Sequence, residues 1–528
     1  MRQVFLPGVL LFGLCALLSA AQAQPKPAII LPAPFALELH PGQTSIAAAD
    51  PALRGLLASA RAGSLRVSHD LAHSVEQGVT QVTFTAWDGD KPVATANAAL
   101  FVLPHGMTPV GVTTDENATS GNSATHIGVD AVGRAHMVWV DGSGPWYRRA
   151  VVDARDEVHF QGEPVAFATP APSEWSAYPA LSVDGMAVHL AFQGGQKLFE
   201  RSVIAAGDTT TLGPVHDVGL PSPGRDIGPS IVSQGDIVQV ITPQGQFAQS
   251  TDGGQHFVNE TIATPPGSHV ISSALARDNK GVLHVAMSVG IRFGNNEMSN
   301  KGKGSGNYWQ MLIATRDAGG HWSPTRDALA GLPEWAEPPL TEDAIAAWTR
   351  VLVDEQGAEH LTWHGTAVSR VFGQDQGWYA YRPTPEAVVK PIALAPRDPE
   401  HGINYSFAPG LTLDGDRALA LVFFDVMDGS DWRGFDSRLL EFRNGAPTGK
   451  SLTVTDFMRR SIDAKRPQDG LSVRFPSPAP TLRRTADGHA WLDVVETLIP
   501  RGVENAPMLI VYQRIDLTAV GMLKRSWW

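Results

Sequence analysis

The segment Thr125–Val151 most constrains what this chain can become, because it is a unit that cannot bury its own faces and it recurs. It reads Thr-His-Ile-Gly-Val-Asp, then Ala-Val-Gly-Arg, then Ala-His-Met-Val-Trp-Val, a glycine-rich loop, and Trp-Tyr-Arg-Arg-Ala-Val. That is strand, tight turn, strand, loop, strand. Asp130 can bond its own turn, and Gly133 tolerates positive φ. Related units start at Pro179, Pro229, Ser272, Trp348, Pro409 and Pro478, which makes seven copies. Their spacing of roughly 45 to 80 residues is within or somewhat above the range of blade repeats. Radial repetition removes long free sheet edges, so the pattern predicts an all-β fold with a seven-bladed β-propeller over 105–528. A string of β-sandwiches is the alternative, and it lacks this self-similarity.

Two units end in a tighter signature. Ser250-Thr-Asp252-Gly-Gly254-Gln-His-Phe257 and Thr315-Arg-Asp317-Ala-Gly319-Gly-His-Trp322 share the spacing S/T-x-D-x-G-x-x-aromatic. The Asp is suited to hold a turn through backbone N–H groups, the Gly to take the left-handed position, and the aromatic to fill a seam. The spacing resembles the Asp-box (BNR) repeat of the sialidase-type propeller superfamily. The resemblance implies fold, since in that family the box is a structural turn remote from the active site. In its count of units the chain is also similar to the seven-bladed propeller polysaccharide lyases. The Arg-Ile-Pro element that sialidases carry ahead of the first blade is absent, and Leu498-Ile-Pro-Arg501 holds similar residues in another order.

Residues 1–23 read as a secretory leader: Arg2, the apolar run Val4 to Leu18, and Ala21-Gln-Ala23 as a cleavage site. The run is too short for a spanning helix, so a periplasmic or secreted protein with no membrane span is expected. Cys15 is the one cysteine and lies inside that leader, which leaves the mature chain no disulfide and no thiol nucleophile. Residues 24–34, rich in Pro and Ala, read as a linker. Residues 35–104 read as a separate module with a short helix opened by Pro51 and a hairpin around Asp88-Gly-Asp90. It resembles bacterial Ig-like modules, which implies a small β-sandwich serving as spacer or docking domain. A formal charge of −12 argues against a nucleic-acid partner.

Chain order sorts the loops into two ends. The Asp…Gly turns and the Asp-box turns share one end. The segments before each first strand and the loops between second and third strands share the other, where binding sites on such scaffolds collect. Those loops carry Arg292, Arg370, Arg433 and Arg501, and the preceding segments carry Arg225, Arg466 and Arg474. Guanidinium forks grip carboxylates bidentately and keep their charge. Arg225, Arg292, Arg370, Arg433 and Arg474 are therefore the expected substrate-binding set, with Trp175 and Trp432 as flat faces for sugar rings. Trp348 belongs to the same group of aromatics. The expected proton handlers are His364, placed to project at the channel mouth, with Tyr405, His126 and Tyr178. His136, His189, His284 and His360 recur at equivalent second-strand positions, which marks them as structural. Asp425, Asp428 and Asp431 offer oxygen ligands that a structural calcium would use, without a full loop pattern. Neither a cofactor nor a catalytic metal is expected.

These residues point to an exported, monomeric, carbohydrate-active propeller acting on an anionic glycan, uronate- or sialate-containing, by lyase or glycosidase chemistry. The alternative is a propeller that binds a glycan or a protein without catalysis.

Overall fold

The computed structural model describes residues 28–525 apart from a set of connecting segments, the longest being 168–178, 293–306, 329–345, 367–374 and 395–405. The expected leader 1–23 lies outside the described residues. No helix among the described residues is long and apolar enough to cross a membrane.

The chain is nearly all β, and the recurrent unit of the sequence is what forms it. After the N-terminal module come five separate antiparallel sheets of four or five strands, then one ten-stranded sheet. The five are led by Ile127–Val129, Ala180–Asp184, Ser230–Gln234, Ser268–Arg277 and Ala346–Val353. The ten-stranded sheet holds two further up-and-down runs, led by Ser406–Asp414 and Thr481–Arg484 and joined through Gly470–Val473. The outermost strand of the last run is Met107–Thr113, from the other end of the repeat region, paired antiparallel with Met508–Asp516.

The leading strands touch one another in chain order, and Thr481–Arg484 touches Ile127–Val129 in turn. Hydrogen bonds cross several of these junctions. Leu181 N donates to Thr125 O at 2.8 Å, Leu275 N to Ser230 Oγ at 3.2 Å, Thr349 N to Ser272 Oγ at 2.9 Å, and Thr481 Oγ1 to Ile127 O at 2.9 Å. Alternating side chains of each sheet then fill the seams with its neighbours. One such cluster joins Val110, Ile127, Met137 and Trp139 to Val495 and Ile510 from the end of the chain.

The two S/T-x-D-x-G-x-x-aromatic segments form turns held by their Asp side chains, with one difference. Asp252 Oδ1 accepts from His256 N at 2.9 Å, and Asp317 Oδ1 accepts from His321 N at 2.8 Å. In the first turn Gly254 takes φ 89°, but in the second the left-handed residue is Gly320, one place after the expected Gly319. Trp322 packs edge-on against Phe247 with centroids 5.2 Å apart, filling a seam.

The N-terminal module departs from the expected sandwich. Its main sheet has four strands in the order Ala36–Glu38, Lys91–Leu103, Gly78–Asp88, Arg66–His69, the first pair being parallel. Helix Pro51–Ala58, capped by Asp50 and carrying Pro in its first turn, buries Leu53 and Leu57 against Phe84, Leu100 and Val102 where a second full sheet was expected. The expected linker is partly engaged too, since Ile30 and Arg61 exchange backbone bonds of 2.7 and 2.9 Å. Arg514 ties module to repeats, reaching Glu38 at 3.3 Å and Asp156 at 3.0 Å.

The contact between the first two leading strands is testable at Gly128, where an added Cβ would lie 2.5 Å from Val183 Cγ2 and 3.0 Å from Leu181 Cδ1. Gly128→Val is expected to destabilise by about 1–3 kcal/mol through overpacking, despite valine's better strand propensity. Urea unfolding measures it, and an unchanged midpoint would mean that these strands do not pack together.

Candidate functional site

The recurrent histidines are buried near the turn end and held in bonded pairs or triads. His136 lies between Tyr147 Oη at 2.6 Å and Asp130 Oδ2 at 3.1 Å. His360 repeats the arrangement with Tyr379 Oη at 2.8 Å and Asp354 Oδ2 at 3.4 Å. His189 and His284 pair with Glu200 and Glu359, each at 2.8 Å. Recurrence across sheets and a bonded partner for each ring agree with a structural role.

At the other end, a different set of groups comes together because of one irregularity. In Ala346–Val353, Ala347 pairs with His364 but Arg350 pairs with Thr362, so two residues, Trp348 and Thr349, stand opposite one. This is a β-bulge, which re-aims the side chains on either side of it. Trp348 adopts φ 51°, and its indole lies 4.7 Å from the His364 ring at 36°. Beyond the bulge, Arg350 is carried inward. Its Nη2 donates to the Ala124 carbonyl at 3.1 Å, linking the fifth sheet to the segment that leads into the first.

Arg350 also lines a cavity of about 430 Å³ between the leading strands. Thr125, Ser182, Ser230 and Thr412 contribute hydroxyls to its wall, and Arg277 and Arg350 are the ionisable side chains that line it. His126, next to Thr125, is fully buried, and neither ring nitrogen has a hydrogen-bond partner. Burial, reinforced by the Arg350 charge, pushes the His126 imidazole down to about 3. Burial alone pushes His364 down to about 3 and Arg350 to about 10. Two neutral imidazoles thus accompany one guanidinium. Farther along the same end, Glu496 in Ala490–Arg501 is fully buried with both oxygens lacking a hydrogen-bond partner, and burial pushes its carboxyl up to about 8.

The structure therefore brings His126 within the field of Arg350, which sequence reasoning had not singled out, while His364 lies against Trp348, two residues before Arg350 on the same strand. Both histidines sit below the surface, at 0% and 6% exposure, so the expected projection of His364 at the mouth is corrected: it is buried, with its ring packed against the indole of Trp348. Arg292 and Arg433 fall within strands Leu283–Arg292 and Asp431–Arg443 rather than in loops, as does Trp432. Their side chains lie outside the described set, while Tyr178, Tyr405, Trp175, Arg225, Arg370 and Arg474 lie outside the described residues altogether. The side chains of Asp425, Asp428 and Asp431 are outside it as well. Arg350 did carry a signal, since it is the one charge in the strand Ala346–Val353, where an ionised group is costly. Among the described residues, Asp153, Glu157 and His159 form the one carboxylate–imidazole group close enough to share a cation, on an exposed turn of the first sheet.

No family model matches this chain, and no curated relative does. Among solved structures, similarity extends to an ulvan lyase of polysaccharide lyase family PL25, at 10% identity over 78% of this chain and 99% of that one, with a TM-score of 0.49. An α-L-arabinanase from Penicillium chrysogenum, complexed with arabinobiose, is 12% identical over 78% of this chain and 98% of its own, at 0.35. YCF48 from Cyanidioschyzon merolae is 11% identical over 77% and 98%, at 0.37. Identity this low leaves the chemistry to be read from this chain's own side chains.

The shifted groups have opposite signs in their pH dependence. His126 and His364 stay neutral in the folded protein down to about 3, whereas the unfolded chain protonates them near 6.5. Stability is therefore lost as pH falls through that window, and His126→Gln or His364→Gln should each remove part of the loss, on the order of several kcal/mol. Glu496 holds its proton up to about 8 when folded but releases it near 4.5 when unfolded, so stability is lost as pH rises between these values. Glu496→Gln is expected to exceed wild type by on the order of several kcal/mol at pH 8 and to match it below pH 4. Denaturant titrations across pH measure both effects.

Proposed function

We propose that the repeated sheets are the blades of a seven-bladed propeller of the sialidase-like, Asp-box type, and that the protein is exported and acts on an anionic glycan at the end holding Arg350, His126 and His364. The circular contact order of the leading strands supports the blade count. The observation that carries the functional reading is the Arg350 guanidinium, extended across the leading strands to Ala124 beside a neutral, unbonded His126.

Such an arrangement suits β-elimination on a uronate. Arg350 offsets the charge of the sugar carboxylate, so the proton on the adjacent C5 becomes easier to remove. A neutral imidazole, His126 or His364, accepts that proton. The C5–H electrons become the new C4=C5 bond, the C4–O bond breaks, and the departing oxygen takes a proton from an acid such as the expected Tyr405. A hydrolase would instead need two carboxylates flanking the scissile bond. The burial of both histidines favours one other reading, a propeller that binds the glycan without cleaving it.

Incubation with polygalacturonate, alginate, hyaluronan and polysialic acid separates these readings. Absorbance of unsaturated uronate is expected together with new reducing ends, and Arg350→Gln should lower kcat/KM by about 10²-fold or more. Reducing ends alone would indicate hydrolysis. Retention on a polymer without cleavage would indicate the binder, and neither cleavage nor retention would remove the glycan assignment.

A further inference from the structure

Trp348 holds a conformation that its fold does not demand. The leading strands of three consecutive units are bulged at the same level, between Val270 and Ser272, between Ala347 and Arg350, and between Phe407 and Gly410. The bulge is therefore part of the architecture. Only in the middle case does a non-glycine residue of the bulge take positive φ, since the described residues that do so are Asp156, Trp348 and Asn444. Asp and Asn tolerate this region, whereas for a bulky side chain it is an outlier that stores on the order of 1–3 kcal/mol. What the outlier achieves is visible: it lays the indole over the imidazole of His364 at 4.7 Å. Trp348 itself is only half-buried, while His364 beneath it is 6% exposed. Seam packing would bury the indole and leave its backbone relaxed.

We propose that Trp348 is a strained aromatic cover for His364 and the platform on which a sugar ring of the ligand stacks. This rests on the glycan reading of the Arg350 end for its second half and on geometry alone for its first. An indole presents a flat apolar face and one polar N–H, which suits the C–H face of a pyranose. Moving from the imidazole to the sugar exchanges one stacking partner for another and releases the backbone from the left-handed region. The same movement opens His364 to the ligand whose ring displaced it. Trp348 is thus a positioning residue for His364 and a binding residue for the sugar.

The cover is tested without any polysaccharide, by carbethoxylating the full-length protein with diethylpyrocarbonate and following His364 by peptide mass spectrometry. The rate at His364 is expected to rise about tenfold or more in Trp348→Ala and Trp348→Gly, and to stay near wild type in Trp348→Phe, as for removal of a local barrier to access. Trp348→Gly should also melt no lower than Trp348→Ala, because glycine meets φ 51° without strain. Equal His364 rates in wild type and both truncated variants overturn the cover. The platform is tested by affinity electrophoresis in gels of polygalacturonate, alginate, hyaluronan and polysialic acid. Wild type should be retarded by at least one polymer, Trp348→Ala much less, and Trp348→Phe largely as wild type. Equal retardation of wild type and Trp348→Ala overturns the platform alone, and no retardation of any variant overturns the platform and the glycan reading together.

Discussion

A run of three or four strands with apolar residues on both faces has no means of covering either face by itself, and every other feature here follows from that constraint. Each sheet is buried by its neighbours, and the leading strands come close enough that Gly128 leaves no room for a methyl group against Val183. Adjacent leading strands are not laddered to one another, even where Ser406–Asp414 and Thr481–Arg484 share the ten-stranded sheet. Hydroxyls take over: Ser230, Ser272 and Thr481 each bond backbone across a junction, which satisfies polar groups that would otherwise be stranded in the interior. The leading strands do not fill the space between them, and a cavity remains that their Ser, Thr, Val, Ile and Leu side chains line together with Arg277 and Arg350.

That arrangement explains which parts were legible in the sequence. Period-two alternation and the Asp…Gly turns are local signals, and they marked the repeated strands correctly. His136 and His360 were readable as structural because each is fixed by partners its own unit supplies, Asp130 with Tyr147 and Asp354 with Tyr379. The N-terminal module was less legible: its hairpin at Asp88–Lys91 was clear, but whether helix Pro51–Ala58 or a second sheet covers the hairpin is a matter of tertiary packing. The left-handed residue of the second Asp-box turn moved from Gly319 to Gly320 for a related reason, since two adjacent glycines leave the choice to the surroundings.

The site was only half legible. His126 and His364 were chosen for their place at strand ends, and of the two His126 lies near enough to Arg350 to feel its charge. What sequence could not convey is depth. A residue at the end of a strand is exposed if the next layer stops short of it and buried if a neighbour folds over it, and here His364 is buried with its ring against Trp348 of the bulge. The bulge adds one residue and so inverts which side chains point inward beyond it, which is how an arginine enters an apolar strand. Burial then sets the chemistry: an imidazole kept from water is a neutral acceptor, and a carboxyl kept from water, as in Glu496, is a neutral donor.

The pairing of Met107–Thr113 with Met508–Asp516 carries a consequence for biogenesis. The last sheet borrows its edge from a segment synthesised roughly four hundred residues earlier, so that sheet cannot be completed until the whole repeat has emerged. Until then the early strand has an unmatched edge and must be kept from pairing elsewhere. A chain built this way closes its last sheet late, and removal of Met508–Asp516 would leave Met107–Thr113 without its partner strand.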